Sequence, residues 1–515
     1  MDAISLSIFA NRIDAICSEM GATLQKAAFS PNIRDRLDYS CAIFDAAGEL
    51  CAQAAHIPVH LGSMAFAMRD VVSTFDWLAG DMMVLNDPYK GGTHLPDVTL
   101  IAPVFIKDSL IGFVVNRAHH ADIGSETPGS MPLSSSLSEE GLLIQAALIV
   151  RNFEIEKDYF DGLMKNMRNP LQSSGDFIAQ IAANRRGLTR LAALIAKMGK
   201  DEYLQSLRYL NQYAAMLAKN SLSAIADGDY YFADVMDDDG QGNLDIVIKV
   251  KLSISAGAVV VDFSGSAAQV AGNINCPLSV TAAAVYYVFR CLMPSQTPAC
   301  AGSFKNINLL APKGTVVNAN FPAAVAAGNV ETSTRIVDVI LGALANALPE
   351  KIPAASHGSM NNLAMGYVGD NAYKAWDYYE TIAGGMGASV IAPGLDAVQT
   401  HMTNTLNTPI ESLEMNFPLR VSRYQIRQDS AGAGYHQGGE GLIREYEFLA
   451  PAQVTLLTER RRHPPWGLAG GEAAKVGVNC LNKTKLPAKH SFMAQAGDVV
   501  CISSAGGGGY GHVKT

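Results

Sequence analysis

Residues 86–105 read NDPYKGGTHLPDVTLIAPVF, and residues 114–124 read VVNRAHHADIG. Pro96 lacks an N–H and disfavours helix at Leu95, so His94 falls in an extended or turn segment. The run from Asp97 to Phe105 has the composition of a strand. Lys107-Asp108-Ser109 supplies a polar turn, and a second strand is expected from Ile111 to about His120. A loop of residues 107–109 pairs Ile106 with Leu110 and sets Asp97 directly opposite His119. Opposed residues of an antiparallel pair share a face, with Cβ atoms ~5 Å apart.

That separation lets both side chains reach one ion through bonds of ~2.1 Å, with His94 just beyond, where the chain can curl back. Two imidazoles and a carboxylate suit zinc, manganese or iron(II), and leave positions open for water or substrate. The register is the sensitive point: a two-residue loop would shift it by one and could offer His120 to Asp97 in place of His119. His119 and His120 point to opposite faces of a regular strand, so only one is expected to bind the ion, with Asp122 a further candidate. Isolated His and Asp residues are usually ordinary hydrogen-bonded groups. Here, however, 5 of 11 histidines (56, 60, 94, 119 and 120) crowd among Asp38, Asp87, Asp97 and Asp122.

Outward from this hairpin, Ile4, Ile8, Ile13, Ile16, Met20 and Leu24 mark an amphipathic first helix. Leucines between Leu188 and Leu217 recur at three- and four-residue intervals, so residues 160–226 read as helical. Strands are expected at Tyr230 to Met236, Leu244 to Leu252 and Val259 to Phe263, and helices at Thr281 to Leu292 and Thr332 to Leu348. The expected fold class is α/β (mixed α+β) and multidomain, at roughly 100 to 200 residues per domain. Its parts are a strand-rich metal-binding region at 1–158, a helical segment at 159–228, a central α/β region at 229–415 and a β-rich C-terminal region at 416–515.

Among 515 residues, 49% are apolar and 17% charged, which supports a large core and argues against disorder. A net charge of −9 disfavours a nucleic-acid binder. No apolar run is long enough to span a membrane, and the first residues lack the pattern of a secretory signal. The eight cysteines are scattered without C-x-x-C spacing, so a reducing, cytoplasmic location is expected. Gly506 to Gly509 has no following helix or Lys-Ser/Thr and reads as a turn, not a phosphate loop. Asp237-Asp238-Asp239-Gly240 reads as a hairpin turn because the closing Glu of a calcium loop is absent. The Arg460-Arg461-Arg462-His463 run is either an anion clasp or, the favoured reading, a solvated or interface patch. No G-x-S-x-G elbow occurs.

Several motifs then converge on one family. NDPYKGGTHLPD, NRAHHADIG followed by PGSMP, AAHIPVHLGSM, GNINCPLSVT, PAAVAAGNVETS, THMTNTLNTPIESLE, GGEGLIREYEF and TERRRHPPWGLAGG resemble the B-type (beta) subunit of ATP-dependent hydantoinases, with 5-oxoprolinase, caprolactam-type lactamases and acetone carboxylases as relatives. The resemblance runs from the first helix to the final GGGGYG. It implies one divalent metal at His94, Asp97 and His119, and a second acidic position at Asp38 in RLDYS. It also implies a partner A-type ATPase subunit of actin-like fold in an α2β2 hetero-oligomer. That partner would use ATP and Mg to phosphorylate the carbonyl oxygen of a cyclic amide such as hydantoin, N-methylhydantoin, 5-oxoproline or a lactam. A poor electrophile thereby becomes a good one. The metal in this chain would lower the pKa of water toward ~7 for attack on that carbon, making the pair a hydrolase of cyclic amides. His120, Asp122 or Asp38 would orient ligands or accept a proton. Glu331 and His401 could face the substrate channel.

LLIQAALI after Glu139-Glu140-Gly141, and GGMGAS near Met386, depart from the family's usual form and bear on the substrate pocket. The alternative is a subunit of an ATP-dependent ketone carboxylase, in which the same trio would serve carbon–carbon bond formation. A non-catalytic scaffold for the ATPase predicts no bound metal at all.

Overall fold

The computed structural model describes residues 2–55 and 57–513; His56, one of the five clustered histidines, lies outside them. The chain is a mixed α/β, multidomain protein built on four sheets. The first holds seven strands, in the order β2-β1-β5-β4-β3-β6-β7. These are β1 (Tyr39–Asp45), β2 (Leu50–Ala55), β3 (Met82–Leu85), β4 (Asp97–Ile106), β5 (Ser109–His119), β6 (Ala147–Arg151) and β7 (Glu154–Ile155).

Both faces of this sheet are covered, which is why its middle strands read as nearly continuous apolar runs. On one face, Val98, Leu100, Ala102, Val114 and Ala118 pack with helix α1 (Ala3–Ala27) and with helices further along the chain. The short α2 (Pro31–Arg34) leads into β1. On the other face, Ile101, Phe113 and Val115 meet Met64, Met68 and Val71 of α3 (His60–Val72). The expected helical stretch is three helices: α4 (Lys157–Met164), α5 (Pro170–Met198) and α6 (Lys200–Leu222).

A second sheet, β11-β10-β9-β8, uses β8 (Gly228–Asp238), β9 (Leu244–Ser255), β10 (Ala258–Asp262) and β11 (Ile307–Leu310). It packs with α7 (Leu278–Cys291) and α8 (Ser333–Leu344) into the largest apolar cluster. The third sheet, β13-β12-β16-β19, joins β12 (Asn362–Tyr367) and β13 (Trp376–Glu380) to β16 (Ala452–Leu457) and β19 (Lys489–Ala494). Strands from either side of residue 416 therefore share one sheet. Helix α9 (Ile410–Asn416) precedes the fourth sheet, β14-β15-β20-β17-β18. Its strands are β14 (Leu419–Arg427), β15 (Gly441–Phe448), β17 (Val478–Leu481), β18 (Thr484–Leu486) and β20 (Val499–Ser503).

The decisive hairpin reaches the expected register by an unexpected route. Its loop is the two-residue one: Ile106 pairs with Ser109 and Phe105 with Leu110. A bulge then leaves Ile111 without an opposite number, so Val104 pairs with Gly112 and Asp97 with His119. The extra residue restores the register that the short loop would have shifted. The Asp239 carboxylate accepts the N–H groups of Gln241 and Asn243, closing the β8–β9 turn. The arginine run is not a solvated patch at its start. Arg460 and Arg461 are buried among carboxylates and side-chain amides, and only Arg462 is exposed.

Candidate metal centre

Alternation along β4 and β5 sorts the polar side chains by face. Asp97 and Thr99 share the α3 face with His119 and Arg117, their cross-strand partners. Arg117 spans from Thr99 Oγ1 (2.9 Å) to Ser63 Oγ of α3 (2.6 Å) and the Gly91 carbonyl (3.1 Å). Gly91 has a φ of +88°, and a Cβ there would come 2.2 Å from the Ala67 Cα, so this loop closes onto α3 only with glycine. Asn116, on the opposite face, bonds Gln180 O and Asn184 Oδ1 of α5.

The segment before β4 turns tightly, the Asp97 N–H reaching the His94 carbonyl at 3.1 Å, which brings the two side chains to one side. His94 Nε2 is 3.3 Å from Asp97 Oδ1, His119 Nδ1 is 3.2 Å from the same oxygen, and the two ring nitrogens are 3.2 Å apart. Metal bonds of about 2.0–2.1 Å at tetrahedral angles place neighbouring donor atoms about 3.3–3.4 Å apart, so the three atoms have the spacing of one face of such a polyhedron. Among the described residues, no other group of three His, Cys, Asp or Glu side chains converges in this way.

The surrounding contacts fix which atoms face the centre. The Ala326 carbonyl accepts a hydrogen bond from His94 Nδ1 (3.2 Å), so a neutral His94 ring turns its Nε2 lone pair inward. Asp97 Oδ2 accepts from Thr93 Oγ1, from His60 Nε2 (3.3 Å) and, at 3.5 Å, from Asn329 Nδ2. Asp97 Oδ1 is buried and has no hydrogen-bond donor other than the imidazoles it faces. Lone pairs converging in an interior repel one another unless a cation lies among them. The three residues therefore fit a divalent metal, and His60, Thr93 and Asn329 hold the carboxylate as outer partners do.

Burial alone would raise the Asp97 carboxyl, but His94, His60 and hydrogen bonds from His119 and His60 outweigh it and hold the group well below the usual range. Burial holds the His119 imidazole below its ordinary range. Its ring stacks on Tyr379, with centroids 4.8 Å apart.

A cavity of about 20 Å³ adjoins the trio, bounded by Asp38, His60, Asp97, His119, Asn329 and Tyr379. It has room for an ion or a water. Asp38 thus lines this cavity, and its backbone carbonyl accepts the His119 N–H at 3.0 Å. His120 and Asp122 do not. His120 Nε2 is 2.9 Å from Gln180 Oε1, and the ring packs on Phe177 on the other face of the sheet. The Asp122 carboxylate accepts the N–H groups of Gly124 (2.9 Å), Arg168 (2.5 Å) and Asn169 (3.0 Å), tying the hairpin exit to the start of α5. Glu331 is buried behind the cavity wall, where it accepts Met360 N (2.9 Å) and Asn362 Nδ2 (2.6 Å); burial, then Glu459, pushes its carboxyl up to about 8. His401 is half-buried beside Tyr287, its Nδ1 3.4 Å from the phenol oxygen.

Sequence spacing did not single out Thr93, Asn329, Tyr379 or Glu140 for this centre. Glu140 accepts the N–H groups of Val325 and Ala326 and so holds the carbonyl that orients His94; burial raises its carboxyl to about 7. His60 belonged to the histidine cluster, which was the available signal for it. Thr93 is the neighbour of His94 in the quoted motif, while Asn329, Tyr379 and Glu140 come from other segments of the chain. Asn329 lies on a single π-helical turn, Gly328–Thr332, a feature that often marks functional sites.

The fold and this centre define a multidomain α/β protein with a buried two-imidazole, one-carboxylate site at the end of a hairpin. The Hydantoinase B/oxoprolinase family model matches residues 2–513, and the chain belongs to that family. An uncharacterized protein of Methanocaldococcus jannaschii is 39% identical over 99% of this chain and 91% of its own length. A Pseudomonas protein named as the B-type subunit of a D-/L-hydantoinase is 32% identical, over 99% of this chain and 90% of its own. The 5-oxoprolinase 1 of Arabidopsis thaliana is 38% identical over 99% of this chain, which spans only 42% of that relative. The crystal structure of the ATP-dependent caprolactamase from Pseudomonas jessenii superposes with a TM-score of 0.91 at 26% identity, covering 99% of this chain and 91% of that one. Among the described residues, no helix is long and apolar enough to cross a membrane.

Proposed function

We propose that this chain is the metal-bearing subunit of an ATP-dependent cyclic amidohydrolase, acting on a hydantoin, 5-oxoproline or lactam whose carbonyl oxygen a partner ATPase has phosphorylated. The observation that carries this reading is the buried meeting of His94 Nε2, His119 Nδ1 and Asp97 Oδ1 at 3.2–3.3 Å. The Pseudomonas relative, named as one subunit of a hydantoinase, supports a partner chain, and the caprolactamase supports a cyclic amide as the substrate class. We assign the partner an actin-like A-type ATPase fold, the assembly an α2β2 composition, and the location the cytoplasm. Eight free thiols, five of them buried, accord with a reducing compartment.

His94, Asp97 and His119 would hold zinc, manganese or iron(II). A divalent ion held by these residues would supply water acidified toward neutral pH as the nucleophile. The chain's own groups do the rest. Asp97 stays ionised because its imidazole neighbours hold it so. Asp38, at the cavity edge, takes the proton released as water adds to the carbonyl carbon and returns it to the ring nitrogen as the C–N bond breaks; the acyl phosphate left behind is hydrolysed by a second water to carboxylate and inorganic phosphate. His120 and Asp122 act one step away, fixing the strand end that carries His119.

The test is elemental analysis of the purified chain, wild type against His119→Ala, followed by turnover with ATP, the partner and either a hydantoin or a lactam. A stoichiometric transition metal lost in the variant, together with ring opening lost in parallel, is the expected result. Equal metal-free samples would sink the reading. Consumption of a ketone with bicarbonate in place of ring opening would convert it to carboxylation.

A further inference from the structure

The two imidazoles of the centre are held by different means. A histidine that faces a metal ordinarily donates its other ring N–H to a fixed acceptor, and that bond sets the plane of the ring and the nitrogen it presents. His94 follows this pattern through the Ala326 carbonyl, 3.2 Å from its Nδ1. His119 does not. Its Nδ1 faces Asp97 Oδ1 at 3.2 Å, while its Nε2 is buried and has no hydrogen-bond partner among the described residues. The torsion that turns an imidazole about its Cβ–Cγ bond is soft. Without an anchor the ring could swing and offer a carbon or its other nitrogen to the centre.

The flat face of this ring lies on Tyr379. The two planes are 13° from parallel with centroids 4.8 Å apart, so turning the imidazole would drive its edge into the phenol. The tyrosine is itself fixed at three points. Its hydroxyl donates to Asn362 Oδ1, on the neighbouring strand β12, at 2.6 Å. Its carbonyl accepts Arg36 Nη1 at 2.7 Å, and the guanidinium carbon lies 4.9 Å from the ring centre. Asn362 is held in turn. Its Nδ2 donates to Glu331 Oε1 (2.6 Å) and to the Leu457 carbonyl (2.8 Å), which leaves Oδ1 for the phenol. Glu331 stands on the same π-helical turn as Asn329, which reaches Asp97 Oδ2 at 3.5 Å. One turn thus braces Asp97 through Asn329, and His119 through Asn362 and Tyr379.

We propose that Tyr379 is the positioning residue for His119, aligning by ring stacking what a hydrogen bond aligns for His94, and that Asn362 and Glu331 hold Tyr379 in place. The inference rests on the reading of the trio as a metal centre. It makes that centre a product of two sheets: the hairpin of the first supplies the donors, and β13 of the third supplies the face that orients one of them. His119 also lacks the acceptor that would raise its basicity, so it is the weaker of the two imidazole ligands.

The experiment loads the full, histidine-labelled chain with zinc and reads each ring by long-range proton–nitrogen correlation spectra, with His94→Ala and His119→Ala assigning the signals. Wild type, Tyr379→Phe and Tyr379→Leu are compared, with Tyr379→Met in place of the leucine variant should that one not fold. Melting curves verify folding, and competition with a chelator gives affinity. Zinc on His119 Nδ1 and on His94 Nε2 is expected in wild type. Tyr379→Phe keeps the ring and should keep both nitrogens. The non-aromatic variant should bind zinc about 10–100-fold more weakly and spread His119 between its two nitrogens, with His94 still on Nε2. A single His119 nitrogen at wild-type affinity in the non-aromatic variant would overturn the inference. So would a change of nitrogen in Tyr379→Phe, or an equal change at His94. Each of these outcomes leaves the metal centre standing, whereas absence of zinc from folded wild type removes the centre and this inference with it.

Discussion

Two regions of this molecule bury charge, and they do so in opposite ways. At the junction of α8 with the C-terminal sheets, Arg335, Arg460 and Lys489 face Asp234, Asp338 and Glu459. Lys489 lies 2.5 Å from Glu459, and Arg460 lies 2.5 Å from Asp338 and 2.9 Å from Asp234. Each of these three carboxylates has a cation within 4 Å, so the charges are paired inside the chain. At the hairpin end, two imidazole nitrogens and one carboxylate oxygen converge at 3.2–3.3 Å, an arrangement that a divalent cation would balance. Buried charge alone therefore does not identify a site. Unbalanced convergence does.

The largest expected effect tests that distinction directly. His119→Ala should abolish bound metal and lower turnover by about 10⁴-fold or more, because water is no longer acidified near neutral pH. Its melting transition should stay cooperative. Lys489→Met is the counterpart. It leaves Glu459 buried beside fewer cations and should destabilise the chain by about 3–5 kcal/mol in denaturant titrations, while metal content per folded chain stays unchanged. Metal loss in Lys489→Met would erase the contrast between the two regions.

Glu331 lies between them, and its pH behaviour sharpens the boundary. Its carboxyl sits at about 8 in the folded chain, against an ordinary value of 4.5. Between those limits the folded state holds a proton that the unfolded state has released, so stability should fall as pH rises from about 4.5 to about 8 and then level off. The loss is on the order of 5 kcal/mol, at about 1.4 kcal/mol per pH unit. Glu331→Gln keeps the acceptor for Met360 N and Asn362 and should flatten that slope. An unchanged slope in chemical denaturation series from pH 5 to 9 would remove Glu331 as its source.

The smallest effect concerns the outer partners of Asp97. Asn329→Ala or His60→Asn should weaken metal affinity by about 10–100-fold in competition with a chelator while leaving the fold intact. Wild-type affinity in both variants would mean that Asp97 is oriented by the hairpin alone.

How much of this was legible beforehand follows from how local each piece is. The hairpin was readable because Pro96, the polar turn and two apolar runs are contiguous, and strand pairing turns sequence spacing into spatial opposition. The bulge at Ile111 was not readable, since one extra residue in an apolar run leaves no mark on composition. The burial of Arg460 and Arg461 was missed for a related reason. The carboxylates that pair with Arg460, Asp234 and Asp338, lie on elements more than one hundred residues away, and a run of arginines looks the same whether solvated or paired.

By itself, the sequence determined the mixed α/β class and the family motifs and brought Asp97 and His94 toward either His119 or His120, because each depends on neighbours along the chain or on one short antiparallel pairing. Only the tertiary structure decided which other groups meet them. Asp38, His60, Asn329 and Tyr379 reach the centre from four separate elements, whereas His120, adjacent to His119, faces the opposite side of the sheet. Strand alternation separates sequence neighbours, and packing joins residues that the chain keeps hundreds of positions apart.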